Sequence, residues 1–584
     1  MRDILRSTRR LLSGLKPVKV PEAPARAFRD LWPGDASRGA RLLRGEFEVA
    51  GTVRRLEPAG EGTTGTGWAP QDGPVAWRAA AHGFAWLRDL RALGTDAARL
   101  RARDLAEDWL EGGGDADLGQ APEIAAARIS AWLGHWDFLA ATAEDGFRKR
   151  LLIRLAQDAR GVVSSLPAEA LHRGALVTLK GALAAAVALE EDAWLQRALR
   201  FLPGELQRQF HPDGGHVERS PGQLLLALQD LIEIRNLLHG VNVNAPAELS
   251  AALERAGQAL RLFRHGDGAL ALFNGSREEG AALVDLVLTQ GQARGRAPML
   301  LEETGFQRMQ AGRTLVICDA GAPPVGRARD VASGLPRGAD RLSHAGTLSF
   351  EMSIGRDRMI VNCGAAPAGQ GEWRDALRAT AAHSTLVLAD TNSAELRDEG
   401  LGRRPERVEA DRHENEGAQW LDATHDGWRR PFGAVHRRRL YLAPTGDDLR
   451  GEDMIEATEQ TPGRPPGFAV RFHLHPAVIA SAQQDGEGVL LRLPSGQGWR
   501  LRASGARVAV EESIYLGLGE ARRTSQVVLS AEPGTDTVQW AIGRIPAGPA
   551  AGRDSGARAA ASLPVASPAD AAASDAGDAA PREG

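Results

Sequence analysis

The chain has only two cysteines among its 584 residues, Cys318 and Cys363. Two cysteines can form at most one disulfide, which excludes a disulfide framework and a thiolate zinc cluster. Because free cysteine is among the most buried residue types, we expect two reduced thiols inside strands. Tyrosine is equally scarce: Tyr441 and Tyr515 are the only two.

Long apolar runs are also missing. No stretch approaches the roughly 20 apolar residues that a membrane-spanning helix needs. The basic N-terminus, MRDILRSTRRLLSGLKPVKVP, lacks the apolar core of a signal peptide and is predicted to form a short amphipathic helix. The location expected by default is therefore the cytoplasm.

Neither sign of charge dominates. The 71 basic and 75 acidic residues give a formal charge of −4, which provides no field to attract nucleic acid or anionic membranes. We therefore expect no nucleic-acid partner and no integral membrane segment. A local basic groove for an acidic substrate is still compatible with this balance.

The length predicts several domains, and the spacing of apolar residues changes along the chain. From about residue 75 to 265, apolar residues recur at helical spacing, for example at Phe84, Leu87 and Leu90. Glycine and proline are expected to break this region into helices, as at Leu202-Pro203-Gly204. Successive helical hairpins of this kind stack into a solenoid or a toroid.

Near residue 305, alternation of apolar and polar residues takes over, which predicts many short strands and an antiparallel β-sandwich. The strands are predicted at Thr347–Ile354, Met359–Asn362, Ser384–Leu388, Arg438–Leu442, Phe468–His473, Val489–Leu493, Ser525–Leu529 and Thr537–Ile542. We therefore predict a multidomain α+β protein. It has a basic, irregular segment over 1–74, a helical domain over 75–300, a sandwich over 301–545 and a disordered, Ala/Pro-rich tail over 546–584.

A dense polar run, DGGHVERSP, lies in the helical half. Asp213 with the next two glycines is a turn signature, and Ser220-Pro221 is typical of a helix N-cap followed by proline. His216, Glu218 and Arg219 are thus predicted on a loop beside a helix start, which favours an anionic ligand. In the alternative interpretation these residues are only caps and solvated side chains.

A second polar run lies among the strand patterns. Trp373, Arg374 and Arg378 precede His383, and a predicted strand follows directly. Two such runs predict a cleft where the two domains meet, a common place for ligands. The alternative is a polar loop that leads into a strand.

Three side chains of the second half could converge on a metal ion: His344, Asn362 and His383. Two imidazoles and an amide oxygen are ligands that zinc accepts, but without a carboxylate or a third histidine the site would be weak. A structural zinc ion is thus the one cofactor that the sequence suggests. The HxH pattern at His473 and His475 is more typical of a solvent-facing strand than of a metal pair.

Together these segments resemble the heparinase II/III-like family of polysaccharide lyases, in particular its Ala/Arg-rich alphaproteobacterial-type branch. The resemblance covers about residues 30 to 545. It is carried by HGFAWLRDL, DGGHVERSP, HAGTLSF, RATAAHSTL, HDG and ESIY, which begin at His82, Asp213, His344, Arg378, His425 and Glu512. It implies an N-terminal α/α-toroid followed by a C-terminal antiparallel β-sandwich.

The resemblance also implies β-elimination on a uronic-acid polysaccharide. Such chemistry needs the uronate carboxylate neutralised, the C5 proton removed and the leaving oxygen protonated. By resemblance, Glu218 or Arg219 handles the carboxylate, His216 or His383 moves protons, and Arg378 assists from the sandwich. Substrate contacts are predicted for the flanking residues Asp213, Trp373, Arg374, His425 and Trp428.

The chain departs from the family pattern where the chemistry is concentrated. The family's tyrosine, expected soon after Ser-Pro, is replaced by the run Gly222-Gln223-Leu224. In the family's HxHxD pattern, Leu342 and Gly346 stand for the first His and the Asp, so only His344 remains. Trp428 follows Asp-Gly where the family has Tyr.

Three functions are therefore carried forward. The first is a lyase acting on an acidic polysaccharide. The second is a non-catalytic protein that binds uronate polymers, for example in exopolysaccharide assembly. The third is a glycoside hydrolase, which would need two facing carboxylates, whereas Glu218 is the one obvious candidate. The family resemblance also makes the periplasm or cell envelope and a homodimer compatible with the sequence.

Overall fold

A computed structural model describes residues 20–25, 28–49, 52–57, 73–113, 117–325, 337–366, 371–398, 400–458, 466–483, 486 and 488–546. The predicted N-terminal amphipathic helix over residues 1–19 and the predicted tail beyond residue 546 lie outside the described residues. Within them, no helix has the length and apolar character needed to cross a bilayer.

The segment before residue 74, predicted to be irregular, contains regular structure. Helix α1 (Ala36–Leu43) precedes the antiparallel hairpin of β1 (Glu46–Val49) and β2 (Thr52–Arg55). Leu42 and Phe47 are buried against the helical core. The prediction was wrong because these few apolar side chains are too widely spaced to show a period within so short a segment.

Helices dominate the described residues of the segment 75–300, which was predicted to be the helical domain. The helices are α2 (Val75–His82), α3 (Leu87–Leu93), α4 (Asp96–Asp108), α5 (Pro122–Gly134), α6 (Trp136–Leu139), α7 (Asp145–Ser164), α8 (Gly174–Ala188), α9 (Asp192–Gln209), α10 (Pro221–Gly240), α11 (Ala247–Leu262) and α12 (Ala281–Gln290). The expected break at Pro203 is wrong, because α9 continues through it. Proline removes one backbone bond, and burial of Leu202 and Leu206 on either side offsets that cost.

Helix α10 positions the first polar run. The Ser220 side chain accepts a hydrogen bond from the Gln223 amide, and Pro221 occupies the first turn, which confirms the predicted N-cap. Almost every residue of α8, which packs against α5 and α10, is buried. The aromatic side chains Trp77, Trp86, Trp132 and Trp136 are buried as well, so they form core as the spacing indicated.

The second half contains antiparallel strands and two short helices. The strands are β3 (Leu300–Leu301), β4 (Phe306–Ala311), β5 (Thr314–Asp319), β6 (Phe350–Ile354), β7 (Asp357–Val361), β8 (Leu386–Leu388), β9 (Val408–Asn415), β10 (Ala418–His425), β11 (Ala434–Leu442), β12 (Asp448–Ala457), β13 (Phe468–Leu474), β14 (Ile479–Ala482), β15 (Gly488–Arg492), β16 (Gly498–Ser504), β17 (Arg507–Tyr515), β18 (Arg522–Ala531) and β19 (Thr537–Arg544). The helices are α13 (Gly371–Arg378) and α14 (Arg429–Phe432).

These strands form two sheets that share one core. One sheet has the order β14-β15-β16-β19-β12-β11-β10-β9, and the other β17-β18-β13-β7-β6-β5-β4-β3, with β8 paired to β13. Phe350 of the second sheet stacks on Trp540 of the first, with ring centroids 5.8 Å apart. Cys318 and Cys363 are both buried and free, but only Cys318 lies inside a strand, because β7 ends at Val361 before Cys363. The second half is thus an antiparallel β-sandwich.

Candidate functional site

The first polar run forms a tight loop between α9 and α10 that is fastened to the sandwich. Gly214 supplies the positive φ of the turn. The Asp213 carboxylate accepts hydrogen bonds from the Gly215 amide at 2.9 Å and from the amide and hydroxyl of Thr304, both at 2.7 Å. Asp213, predicted to contact substrate, therefore holds the loop against the beginning of the sandwich.

Arg219 also points into the sandwich. Its Nε donates to the Thr304 carbonyl oxygen at 2.7 Å, its guanidinium pairs with the buried carboxylate of Asp319, and it lies 4.8 Å from the Phe306 ring centroid. Burial raises the pKa of Asp319, and the charge of Arg219 opposes that rise. The guanidinium is thus committed to a buried ion pair, so the structure gives it no access to a substrate carboxylate.

Glu218 is fully buried where the two domains meet. Its carboxylate accepts a hydrogen bond from the Arg173 amide at 3.1 Å and lies 2.8 Å from Nε of Arg341, a residue of the sandwich. Burial alone would raise the pKa of Glu218, but the charge of Arg341 and the neighbouring histidines hold it below its ordinary value. Glu218 is therefore an ionised carboxylate rather than a proton donor.

His216 lies 3.8 Å from the Glu218 carboxylate. Burial lowers the pKa of His216 to about 4, so its ring is neutral at pH 7. Its Nδ1 accepts from the Glu218 amide at 3.4 Å, which assigns the proton to Nε2. Among the described residues Nε2 has no hydrogen-bond partner, so His216 offers an N–H donor and no free lone pair.

Arg341 and Arg173 are two residues of this region that the sequence predictions missed. Each side chain is 23% exposed, and each is paired with a buried carboxylate: Arg341 with Glu218 and Arg173 with Asp230. Arg341 also donates to the Gln223 side chain at 3.2 Å, within the run Gly222-Gln223-Leu224 where the resemblance places tyrosine. Their partners are distant in sequence, so no local pattern marks either residue.

The second polar run forms the opposite side of the same junction. His383 Nδ1 donates to the Ala379 carbonyl oxygen at 2.8 Å, and its Nε2 lies 3.0 Å from Nδ1 of His344. Burial lowers the pKa of His383 to about 4 and that of His344 well below its ordinary value, so both rings are neutral. The bond to Ala379 then assigns the remaining proton to His344 Nδ1, and His344 Nε2 keeps a lone pair.

The predicted metal ligand Asn362 uses its side chain on backbone groups. Its Oδ1 accepts from the Ser384 amide at 3.0 Å and its Nδ2 donates to the Leu272 carbonyl oxygen at 3.4 Å. Nowhere in the described ranges do three His, Cys, Asp or Glu side chains converge on one point. His344 and His383 could hold zinc as a pair, with the Ala379 carbonyl orienting one ring. The structural zinc ion stays a prediction.

Arg378 is buried and bound to backbone carbonyls of the surrounding loops. It donates to Ser343 at 3.1 Å, to Arg397 at 2.8 Å and to Gly400. Trp373 and Arg374, on the same helix α13, are 42% exposed and partly exposed respectively. Of the predicted residues on this helix, Trp373 and Arg374 are thus accessible to a ligand, whereas Arg378 shapes the loops.

His425 and Trp428 lie inside the sandwich, both 0% exposed. His425 Nε2 lies 3.2 Å from His436 Nδ1, and His436 Nε2 lies 2.8 Å from the Asp453 carboxylate. Their predicted contact with substrate is not supported, because a polysaccharide cannot reach them. The short motif HDGW gave no indication of His436 and Asp453, which complete the buried network.

The same buried network also holds the backbone of the loops where the two domains meet. Arg438 is paired with Asp453 and donates to the carbonyl oxygens of Leu348 and Ser384 at 2.7 and 3.0 Å. Burial alone would raise the pKa of Asp453, but Arg438 and His436 hold it far below its usual range. Leu348 and Ser384 flank the loops that carry His344 and His383, so this pair fixes their backbone.

The HxH pattern does not form a metal pair either. His473 is buried, and its ring nitrogens bond to the Ala381 carbonyl oxygen at 2.9 Å and the Ser513 hydroxyl at 2.8 Å. The expected solvent-facing position is therefore wrong for His473. Its side chain is turned inward because it fills the space below the turn that precedes His383.

One amide joins the two polar runs. The Asn274 side chain donates to the Arg219 carbonyl oxygen at 3.0 Å and accepts from the His344 amide at 3.2 Å. We call this junction the seam: its helical wall comprises residues 172–173 and 213–223, and its sandwich wall comprises residues 341–349 and 374–384. The structure thus brings the two predicted runs together.

Arginines act on the imidazoles of both walls. At His216, burial lowers the pKa most, the charge of Glu218 opposes that change, and Arg173, Arg341 and His172 lower the pKa further. At His344, burial again lowers the pKa most, followed by His383, Arg378 and Arg374. The positive charge at His344 suits an anionic ligand, whereas Glu218 offsets part of the positive charge at His216.

Known proteins resemble this chain along most of its length. The model of the "Heparinase II/III-like, C-terminal" family matches residues 293–541. FtsZ-localized protein C of Caulobacter vibrioides is 33% identical over 529 residues, which cover 88% of each chain.

Solved structures share the architecture at low identity. A crystal structure of heparinase III matches with a TM-score of 0.70 and 14% identity, covering 93% of this chain and 89% of that one. Heparan sulfate lyase HepC from Pedobacter heparinus matches with a TM-score of 0.57 and 16% identity, covering 92% and 87%. These matches confirm the predicted architecture of an α/α-toroid followed by a β-sandwich.

Proposed function

The chain belongs to the heparinase II/III-like family, and from this premise we propose that it binds an acidic, uronate-containing polysaccharide at the seam. The fold is that of polysaccharide lyases. The finer question is what the seam does with such a polymer. Its charges and hydrogen bonds support recognition more strongly than cleavage.

The observation that carries the proposal is the placement of four arginines from two domains around neutral imidazoles. The charges of Arg173 and Arg341 act on His216, while those of Arg374 and Arg378 act on His344. Arginine recognises carboxylates through paired N–H donors, and a desolvated seam strengthens such bonds. The partly exposed guanidiniums of Arg173 and Arg341 would receive the uronate.

The β-elimination route that the family resemblance implies lacks the tyrosine that would exchange protons with the substrate. The run Gly222-Gln223-Leu224 stands where the resemblance places tyrosine, and none of these side chains can exchange a proton at neutral pH. His216 has no free lone pair, and both nitrogens of His383 are bonded. Glu218 is in an ion pair and, among described residues, faces no second carboxylate, which also disfavours a hydrolase.

One observation keeps β-elimination as a second candidate. No bond to a described residue uses Nε2 of His344, and that nitrogen carries a lone pair in the assigned tautomer. His344 could therefore remove the C5 proton while Arg341 or Arg374 neutralises the carboxylate. The electrons would form the C4–C5 double bond and expel the oxygen at C4, which takes a proton from water.

The test combines binding with absorbance. A panel of uronate polymers (polygalacturonate, alginate and hyaluronan) is immobilised for binding and separately incubated for the ultraviolet absorbance of an unsaturated uronide. We expect binding that weakens with salt and falls about tenfold or more in Arg341→Ala, because a charged hydrogen bond is worth about 1.5–3 kcal/mol. We expect no absorbance change.

Matched variants separate the two candidates. Arg430, an exposed arginine of α14 paired with Glu406, serves as the control, and Arg430→Ala should bind like the unaltered protein. Growth of absorbance that disappears in His344→Ala would replace the binding proposal with the lyase. Equal binding by the Arg341 and Arg430 variants would refute the seam as the binding site.

The named relative also suggests a place in the cell. We propose that this chain, like the protein called FtsZ-localized protein C, is found together with FtsZ. A fluorescent fusion imaged with labelled FtsZ tests this, and cell fractionation tests the predicted cytoplasmic location. A fusion spread evenly through dividing cells would contradict the proposal. The predicted homodimer is tested by light scattering of the purified protein.

A further inference from the structure

A row of ring side chains crosses the outer face of the sheet that begins with β14 and ends with β9. Trp420 on β10 is directly opposite His413 on β9 and Tyr441 on β11, and Tyr441 is opposite Arg450 on β12. Residues directly opposite in an antiparallel pair point to the same face. The four side chains are therefore neighbours on four adjacent strands.

The rings are in contact. The centroids of His413 and Trp420 are 5.4 Å apart, those of Trp420 and Tyr441 are 5.1 Å apart, and the Arg450 guanidinium lies 5.8 Å from the Tyr441 centroid. These distances are typical of favourable aromatic and cation–π pairs. The row is thus a continuous surface rather than a set of separate side chains.

The row faces away from the sandwich core. The neighbours of Trp420 along β10, Gln419 and Leu421, are buried, whereas Trp420 is partly exposed, as are His413 and Tyr441. The buried Nε1 of Trp420 finds no hydrogen-bond partner among the residues that the structure describes. The accessible part of Trp420 is therefore its ring carbons rather than its N–H group, which suits stacking against an apolar surface.

The charge of the row is of one sign. Beyond Arg450 the register continues to Ala541 on β19 and to the exposed Arg502 on β16. The row from His413 to Arg502 contains no acidic side chain. The parallel row two residues away includes Asp411, Asp422 and Glu452. Arg450 is paired with Asp448 at 2.7 Å, while Arg502 makes no ion pair with any residue that the structure describes.

We propose that this ring row, defined as His413, Trp420, Tyr441, Arg450, Ala541 and Arg502, is a second binding surface for an acidic glycan. The apolar C–H face of a sugar ring would lie on Trp420 and Tyr441, and its carboxylate would pair with Arg502 or Arg450. The surface belongs to a different sheet from the strands that frame the seam. It is therefore independent of whether the seam binds or cleaves.

The experiment measures binding of the full chain to immobilised polygalacturonate, with uncharged dextran in parallel. Trp420→Ala is compared with Trp420→Phe and with Ile479→Ala, which removes a 52% exposed apolar side chain from β14 of the same sheet. We expect affinity to fall about three- to tenfold in Trp420→Ala, the range given by one aromatic contact. Trp420→Phe should retain most of the affinity, and Ile479→Ala all of it.

The same measurements are made in an Arg341→Ala background, with thermal unfolding to confirm that each variant is folded. A further loss on adding Trp420→Ala supports two independent surfaces. Equal affinity of Trp420→Ala and Ile479→Ala overturns the ring row, whatever Arg341→Ala does. If affinity falls in Trp420→Ala but not in Arg341→Ala, the seam is not a binding site and that proposal is refuted instead. Equal binding of dextran and polygalacturonate would refute the proposal that the ligand is an acidic glycan.

Discussion

The two walls of the seam stabilise their buried arginines in different ways. On the helical wall, Arg219 is paired with the buried carboxylate of Asp319, and the two side chains are 5% and 6% exposed. On the sandwich wall, Arg378 is held by backbone carbonyls, and its ion-pair partner Asp375 is 58% exposed. The charge of Arg219 is therefore cancelled inside the protein, whereas that of Arg378 is largely retained. An arginine that is fully buried against a carboxylate offers no charge to a ligand, unlike Arg173 and Arg341, whose side chains are 23% exposed.

The largest effect on the free energy of unfolding is expected when the buried Arg219–Asp319 ion pair is broken. Arg219→Ala leaves the Asp319 carboxylate buried without a counter-charge, which should lower the free energy of unfolding by about 3–5 kcal/mol. Urea unfolding measures this, with Arg430→Ala as a surface control expected within about 0.5 kcal/mol of the unaltered protein. A loss below about 1 kcal/mol would mean that Asp319 becomes protonated or hydrated at little cost.

Loss of Arg378 should destabilise less. Arg378→Ala leaves neutral carbonyl groups of residues 343, 397 and 400 without their donor, at a cost of about 1–3 kcal/mol, less where water enters. The same urea titration measures it. Because this arginine contributes retained charge, the variant should also bind polygalacturonate more weakly. An equal loss of stability in the Arg219 and Arg378 variants would contradict the contrast between the walls.

The buried imidazoles predict a pH dependence. The pKa of His216 is lowered to about 4, whereas the unfolded chain titrates near 6.5, so the unfolded state binds more protons between these values. The free energy of unfolding should therefore fall as the pH decreases from about 6.5 toward 4, by up to about 1.4 kcal/mol per pH unit.

His216→Asn isolates this contribution, because its amide oxygen can replace Nδ1 as the acceptor for the Glu218 amide. Urea unfolding at pH 7, 6 and 5 should show a shallower slope in the variant. The slope does not vanish, since the pKa of His383 is also lowered to about 4. Parallel pH profiles would show that His216 is hydrated or protonated in the folded protein.

The smallest effect is expected from zinc. With two imidazoles as the ligands, even a tenfold excess over the dissociation constant raises the free energy of unfolding by only about 1.4 kcal/mol. Thermal unfolding with added zinc measures this, and the effect should vanish in His344→Ala. Stoichiometric zinc in the purified protein would show that further ligands complete the site.

The sequence predicts the architecture well because that information is local. Helical spacing, alternation and the Ser220-Pro221 cap each depend on residues within a few positions of one another, and the helices and strands follow them. The meeting of the two polar runs was predicted from the residue types that each run combines, not from local spacing. The exceptions are elements stabilised from outside, such as α9 across Pro203.

The roles of individual side chains could not be predicted, because their partners are distant in sequence. Arg219 meets Asp319 after a separation of 100 residues, and Arg341 meets Gln223 after 118. His425 is part of a polar motif, yet it is buried because His436 and Asp453 come to it on neighbouring strands. A motif rich in polar residues can therefore be part of a buried hydrogen-bond network and does not by itself indicate exposure to solvent.

Asn274 restricts the opening of the helical domain away from the sandwich. A single carboxamide holds the helical wall through its nitrogen and the sandwich wall through its oxygen. A hinge that opened the domains would have to break both bonds at once, together with the Asp213, Glu218 and Arg219 contacts beside them. A ligand must therefore bind while the two walls stay joined. Asn274→Asp, which loses the donor, is the smallest change that would loosen their contact.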